Sequence, residues 1–324
     1  MARKLSYHEQ KEASETIKLR NVLKTLPNFS YDYFRAMENT TTIKTRISYV
    51  YDIRLFFSFL IACNPIYSSY KTNEFTLDDL DNITPVDIEE YVGKWPKDTY
   101  YLKVYTDTNG NVYKNDSRGL HRKLSALRSF YAYYYKHEMI KSNPTLLVDM
   151  PKLRDKEIIR LDYDEVAKLL DLVEHGGDNL TGMKKVYYEK NRIRNLAIFT
   201  LFLGTGIRVS ECVGLNINDI DFSNNRIKII RKGGKEDYVY FGDEVCEALQ
   251  DYLAERYNIK AANGHEDALF LSIQKKRMSV QAIENLVNDY AKQITTFKHI
   301  TPHKLRSTYA TRLYHENQSL QRNR

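Results

Sequence analysis

The sequence predicts a mainly helical protein in two parts: an all-helical first part, then a mixed α+β part with a small β-hairpin sheet. Three observations carry this reading. Apolar residues make up 42% of the 324, with only 13 Gly and 7 Pro to interrupt them, a globular, helix-leaning composition rather than a disordered one. Long stretches repeat their apolar residues at helical spacing. One stretch, NRIKIIRKGGKEDYVYF, instead reads as two short strands joined by a Gly-Gly turn. The length accommodates two domains of ordinary size.

The first strong helix lies in TTIKTRISYVYDIRLFFSFLIA, where Ile43, Ile47, Val50, Tyr51, Leu55 and Phe59 recur on one face and Thr40 to Thr42 supply cap candidates. A β-hairpin is expected near 100–115, around Asn109-Gly110, from the alternation of Tyr101, Lys103, Tyr105 and Val112. A second helix covers about 119–138. Leu120, Leu124, Leu127, Phe130, Tyr131 and Tyr134 form its buried stripe, with Arg122, Lys123 and Arg128 off it. DMPKLRDKEIIR is charged, contains a Pro and lacks periodicity, so residues 149–160 are the expected linker between domains 1–148 and 161–324. Beyond it, Asp162 and Glu165 form a capping box opening DEVAKLLDLVEH. Another helix covers NRIRNLAIFTLFLG and stops at Gly204. After the Gly-Gly hairpin, helices follow at 243–257, 279–294 and from about Pro302.

The formal net charge of +7 is unevenly distributed. Residues 1–100 hold 13 basic and 14 acidic side chains, and residues 161–270 hold 14 and 19. Residues 101–160 carry 12 basic against 6 acidic, and residues 271–324 carry 10 against 3. Two positive segments separated by an acidic one suit a polyanion, although a solvated basic surface gives the same sum. Cys63, Cys212 and Cys246 lie far apart without metal-ligand spacing and point to a reducing compartment. No apolar leader or membrane span is read, so a cytoplasmic protein is expected. Many of the 26 tyrosines should sit part-buried, with the hydroxyl reaching a partner or solvent.

Three short segments carry chemistry. In GTGIRVSECVGL, two glycines break one helix and the next begins near Ile207, placing Arg208 at a helix N-terminus suited to an anion. At the hairpin tip, Arg231-Lys232-Gly233-Gly234-Lys235 offers lysines on a protruding turn. In HKLR, His303 and Arg306 share one face of a helix whose first turn carries Pro302. Each alone has a bland counterpart: a surface Arg paired with Glu211, a solubilising turn, a capped helix end.

In combination, order and interval, they resemble the tyrosine recombinase (integrase/Xer) family over roughly residues 35 to 315. TTIKTRISYVYDIRLFFSFL and HRKLSALRSFYAYYYKHEMIKSNP resemble the first and last helices of that family's core-binding (SAM-like) domain. DYDEVAKLL and IFTLFLGTGIRVSECVGLNINDIDF resemble the opening of its catalytic domain. The resemblance implies a C-shaped clamp on double-stranded DNA and site-specific recombination through a 3′-phosphotyrosyl bond. It implies that Arg208 and Arg306 hold the scissile phosphate and that His303 assists the nucleophile's proton or holds the same phosphate. Lys232 would be the general acid, with Lys235 as fallback, and Glu211 would orient the Arg208 region. Lys44, Arg46, Arg122, Lys123, Arg128 and Arg231 are the further DNA-contact candidates. No metal is implied, because the arginines neutralise the phosphate, and no ATP or other cofactor, because the covalent link keeps the energy. Self-association on DNA, including with a full-length recombinase, is also implied, and the inserted hairpin points toward a mobile element.

The family pattern continues with a Leu-Gly-His-type segment and a nucleophilic Tyr, whereas here RLYHENQSLQRNR runs to Arg324 and the only tyrosines after Arg306 are Tyr309 and Tyr314. Both read as packing residues, and the polar tail reads as an incomplete catalytic domain, leaving an apolar face near Leu305, Tyr309 and Leu313 uncovered. The alternative reading is therefore a non-catalytic DNA-binding fragment, inert or competing with a full-length recombinase. Two outcomes follow. Duplex affinity should fall steeply with salt, by about 0.9 in the log–log slope for each phosphate contact; a flat dependence would refute the DNA reading. The purified chain alone should leave no covalent adduct on a nicked suicide duplex. An adduct lost on Tyr309→Phe or Tyr314→Phe would reverse that expectation.

Overall fold

In the computed structural model the described residues are 5–93, 104–106, 112–153, 157–231 and 234–322. They divide into two compact units, Met1–Lys156 and Glu157–Arg324.

The first unit is built on α3 (Ile43–Cys63) and α6 (Ser117–Lys136), which pack against each other, while α1 (Tyr7–Leu23) lies along α3. Short helices α2 (Ser30–Ala36), α4 (Leu77–Asn82) and α5 (Pro85–Val92) complete it. Thr42 caps α3, its hydroxyl accepting from the Thr45 amide at 3.3 Å. The single apolar stripe read for α3 is too narrow. Ile53, Phe56, Phe57 and Leu60 are fully buried, whereas Tyr51 is exposed and Leu55 only half-buried. The reason is that α3 is covered from more than one side, so its apolar surface wraps most of its circumference. Strands β1 (Val104–Thr106) and β2 (Val112–Lys114) pair antiparallel, Tyr105 opposite Tyr113; residues 107–111 and 101–103, which include Asn109-Gly110, lie outside the described residues.

Buried tyrosines keep their hydroxyls bonded. Tyr33 donates to Ser129 Oγ at 2.9 Å and Tyr134 to the Phe29 carbonyl at 2.8 Å. Their rings meet Phe130 edge-on, with centroids 5.2 and 5.0 Å away. Lys123, read as lying off the buried stripe of α6, is itself buried. It sits 3.8 Å from the buried Asp52, which also pairs with Arg122. Burial raises the Asp52 carboxyl above its usual range, and Arg122 and then Lys123 pull it back.

In the second unit α8 (Gly182–Thr205) is the central element, packed by α7 (Tyr163–His175), α10 (Asp243–Arg256) and α12 (Pro302–Arg322). It begins well before NRIRNLAIFTLFLG and runs through Gly204. Its buried residues include Ala197, Ile198, Phe199, Leu201 and Phe202. The break falls two residues later, at Gly206 with φ +60°, a left-handed conformation that a residue with a Cβ disfavours. The one-turn helix α9 (Val209–Cys212) follows.

The sheet has three antiparallel strands, β3 (Ile220–Asp221), β4 (Arg226–Ile230) and β5 (Glu236–Tyr240), in the order β3-β4-β5. Ile227 and Ile229 point into the core, and the intervening residues lie half-exposed. After α10 comes α11 (Val280–Ile294). Helix α12 continues to Arg322 and takes in most of the polar tail.

Three buried or half-buried arginines hold the loops of this unit. Arg256 donates to the carbonyls of Ala268 and Glu266, and Arg194 to that of Leu271. Arg277 donates to those of Val213 and Leu215 directly after α9. Each ties down backbone carbonyls of loop segments, where a buried acceptor needs a donor.

Replacing Asp52 by Ala strands the buried Lys123 ammonium and should destabilise the protein by about 3–5 kcal/mol, read as a lower urea midpoint. The double change Asp52→Ala, Lys123→Met should recover part of the loss. No recovery would mean that the pair is not what Asp52 contributes.

Candidate active site

Three segments distant in sequence bring guanidinium groups together. The first leaves α8 through Gly206 and places Arg208 as the residue before α9. The Arg208 amide donates to Glu211 Oε2 at 2.9 Å, and its Nη1 to Glu211 Oε1 at 2.8 Å. The Glu211 side chain is only 4% exposed. The pairing of Arg208 with Glu211 is thus present, but Glu211 is no surface carboxylate.

The second segment is the end of β4. Arg231 continues the inward alternation of Ile227 and Ile229. Its Nη1 lies 3.7 Å from the same Glu211 Oε1, and its Nε donates to Asp237 Oδ2 at 2.6 Å. That bond, with the Tyr238 amide, holds the Asp237 carboxyl below the usual carboxylate range. The turn is closed by Arg231 N to Lys235 O at 2.8 Å and Gly234 N to Arg231 O at 3.1 Å, with Gly234 at φ +79°. Lys235 is exposed, and Lys232 lies outside the described residues.

The third segment is the start of α12. His303 is exposed, and Arg306 follows one turn later. Arg306 Nη1 donates to the Gly206 carbonyl, 100 residues away in sequence. Burial lowers the proton affinity of Arg306, the Arg208 charge lowers it further, Glu211 opposes them and Arg231 adds to the lowering. The guanidinium groups therefore sit close enough to feel one another, with buried Glu211 as their shared counter-charge.

Gly206 is doubly constrained. A Cβ built on it would lie 2.4 Å from Cδ1 of Tyr309, whose ring covers the turn. Leu305 is fully buried, whereas Leu313 and Tyr314, 43% and 60% exposed, face outward.

The structure therefore brings Arg208 and Arg306 together, with His303 on the turn before Arg306. It adds Arg231, which sequence reading assigned to DNA contact only; the period-2 pattern through Ile227 and Ile229 is the signal that points it inward. Other contact candidates have internal partners. Arg46 is buried beside Glu38 at 3.4 Å, Lys123 faces Asp52, and Arg128 donates to the carbonyls of Thr145 and Val148. Lys44 is exposed, 3.6 Å from Glu15, and Arg122 stays half-exposed while paired with Asp52. Among the described residues no group of three or more His, Cys, Asp or Glu is placed to hold a metal ion, and no helix is long and apolar enough to cross a membrane.

A helical unit followed by an α+β unit with converging arginines defines the class, and the chain belongs to the phage integrase family, whose model matches residues 153–322. Within it, the chain is 34% identical over 290 residues to the tyrosine recombinase XerC of Caldanaerobacter subterraneus subsp. tengcongensis, covering 87% of this chain and 73% of that protein. It is 29% identical to the tyrosine recombinase XerS of Streptococcus uberis, covering 91% and 86%. The fold is that of the Tn1549 transposon integrase solved with transposon right end DNA: TM-score 0.60, 18% identity, covering 87% of this chain and 84% of that one.

Two glycines test the geometry of the turn. Gly234 has open space where a Cβ would stand, so Gly234→Ala should cost only the left-handed conformation, about 1 kcal/mol. Gly206→Ala adds overlap with the Tyr309 ring and should cost more than about 2 kcal/mol. Equal urea midpoints for the two variants would show that the ring does not confine the turn.

Proposed function

We propose that this chain acts in site-specific DNA recombination, in which one strand of double-stranded DNA is cut through a 3′-phosphotyrosyl bond and rejoined to a new partner. The observation that carries the reading is the convergence of Arg208 and Arg306 beside a buried carboxylate, in a chain of this family.

The chemistry follows from charge. A phosphodiester carries one negative charge, and its pentacoordinate transition state carries more on the same oxygens. Arg208 and Arg306, fixed before the substrate arrives, stabilise that added charge without reorganising. His303, exposed one turn before Arg306, holds the same phosphate or takes the nucleophile's proton. Lys232 protonates the departing 5′-oxygen, with Lys235 as the fallback. Lys44, Arg122 and Arg231 remain candidates for DNA contact. Copies of the chain associate on DNA, with one another or with a full-length recombinase, in a cytoplasmic setting.

One observation favours a second reading, DNA binding without turnover. The Tyr309 ring is wedged against Gly206 on the helix that carries Arg306, and cannot swing to the far side of a phosphate held there.

The decisive test uses a nicked suicide duplex selected by binding. A full-length relative with its own arginine pair disabled is added, so that it supplies a tyrosine while cleavage reports this chain's arginines. Arg208→Ala or Arg306→Ala should reduce covalent adduct at least about a hundredfold, while duplex affinity falls less than about tenfold. Near-normal cleavage by either variant removes that arginine from the site. Tight binding with no adduct in any mixture selects the second reading.

A further inference from the structure

We infer that Arg231 is a third phosphate-contacting arginine of this site, placed there by the buried carboxylate that also holds Arg208; the inference rests on the phosphate-handling reading above. Three independent observations point to it. Nη1 of Arg231 and Nη1 of Arg208 lie 3.7 and 2.8 Å from one and the same oxygen, Glu211 Oε1, so the two guanidinium groups border one spot from different segments. Arg231 follows directly after β4, its amide bonded to the Lys235 carbonyl at 2.8 Å, so it keeps the strand's alternation and stands on the side of the buried Ile227 and Ile229. Its remaining anchor, Asp237, takes Nε, so neither pairing uses Nη2.

The geometry separates this role from a purely structural one. A guanidinium that serves only to neutralise Glu211 would sit at hydrogen-bond distance from it, as Arg208 does. At 3.7 Å the Arg231 contact is an attraction without a good hydrogen bond. Nε is tethered through Asp237, which leaves the outer edge of the fork to reach an oxygen shared with Arg208. Arg208, Arg231 and Arg306, with the exposed Lys235 near Asp237, outnumber the carboxylates Glu211 and Asp237. That positive excess suits a phosphodiester and favours the transition state, in which the phosphoryl oxygens bear more charge. Arg231 is therefore a catalytic residue in the strict sense, touching a non-bridging oxygen, and no covalent step is assigned to it.

The test uses the whole 324-residue chain and inorganic phosphate as probe, followed by the Nε–Hε resonances of its arginines. Arg→Lys substitutions at 208, 231 and 306, one at a time, assign the signals. The expected result is that the Arg208, Arg231 and Arg306 signals titrate along one isotherm. Arg231→Ala should weaken phosphate about tenfold, the loss of one charge-assisted contact, and Arg231→Lys, a point charge without the fork, should recover only part of it. If Arg208 and Arg306 titrate while the Arg231 signal stays still, Arg231 is not a phosphate ligand and the inference falls, leaving the earlier reading intact. If Arg231→Lys restores full affinity without a moving Arg231 signal in the unmodified chain, the residue acts only by neutralising Glu211, and the inference again falls. If no arginine signal moves, the phosphate-handling reading itself fails. Because the first readout needs no variant, loss of folding in Arg231→Ala does not protect the inference.

Discussion

A carboxylate removed from water organises the second unit. Glu211, buried at the start of a one-turn helix, cannot keep its charge in a low-dielectric site unless cations and amides surround it. It is met by the Arg208 amide and guanidinium and, more loosely, by Arg231 at the end of a strand. Arg306 joins from a third segment by donating to the Gly206 carbonyl immediately before this turn. Cations that would repel one another are held together because a buried anion and a carbonyl lie between them. The arginines leave a surplus of positive charge at this turn.

Holding that arrangement requires a stiff frame. The central helix α8 is buried along its second half, and its end is set to the residue by a left-handed Gly206 lying under the Tyr309 ring. Behind the turn, Arg277 binds the Val213 and Leu215 carbonyls, so the chain leaving α9 is fixed as firmly as the chain entering it. Lys298 adds ion pairs at 2.8 and 2.6 Å to Asp162 and Glu165 at the start of α7, just before α12 begins. The Arg277 and Lys298 contacts do not involve Arg208, Arg231 or Arg306, yet they steady the backbone on either side of them.

The first unit uses its charges differently. Part of the positive charge between residues 101 and 160 has internal partners. Lys123 and Arg122 answer Asp52, and Arg128 satisfies carbonyls at the Pro144–Leu147 turn. A long basic side chain on an amphipathic helix can lay its stem on the core and still bond inward. A charge tally along the chain therefore overstates the basic surface available to a polyanion. The same unit explains the unusual tyrosine content. Tyr33, Tyr67, Tyr131 and Tyr134 fill the core with rings while their hydroxyls reach oxygens of Ser129, Asp79, Leu80 and Phe29.

What was legible in advance was whatever local chemistry dictates. Thr42 at the start of α3, Asp162 with Glu165, Pro302 at the start of α12 and the Gly-Gly turn each specify their element by hydrogen bonding or backbone geometry within a few residues. Arg208, His303 and Arg306 were singled out by the order and interval of three motifs that resemble the tyrosine recombinase family, since each motif alone has a bland counterpart. Short helices such as α2, α4 and α5 escaped because they are too brief to display a period, and α8 was read too short because its exposed first half carries none. Tertiary structure alone decided which charges face water. Nothing in the sequence neighbourhood distinguishes Lys123, buried against Asp52, from the exposed Lys44, or the inward Arg231 from the exposed Lys235. Burial of a charge depends on whether distant segments deliver a partner to the same point, and that is settled only when the chain has packed.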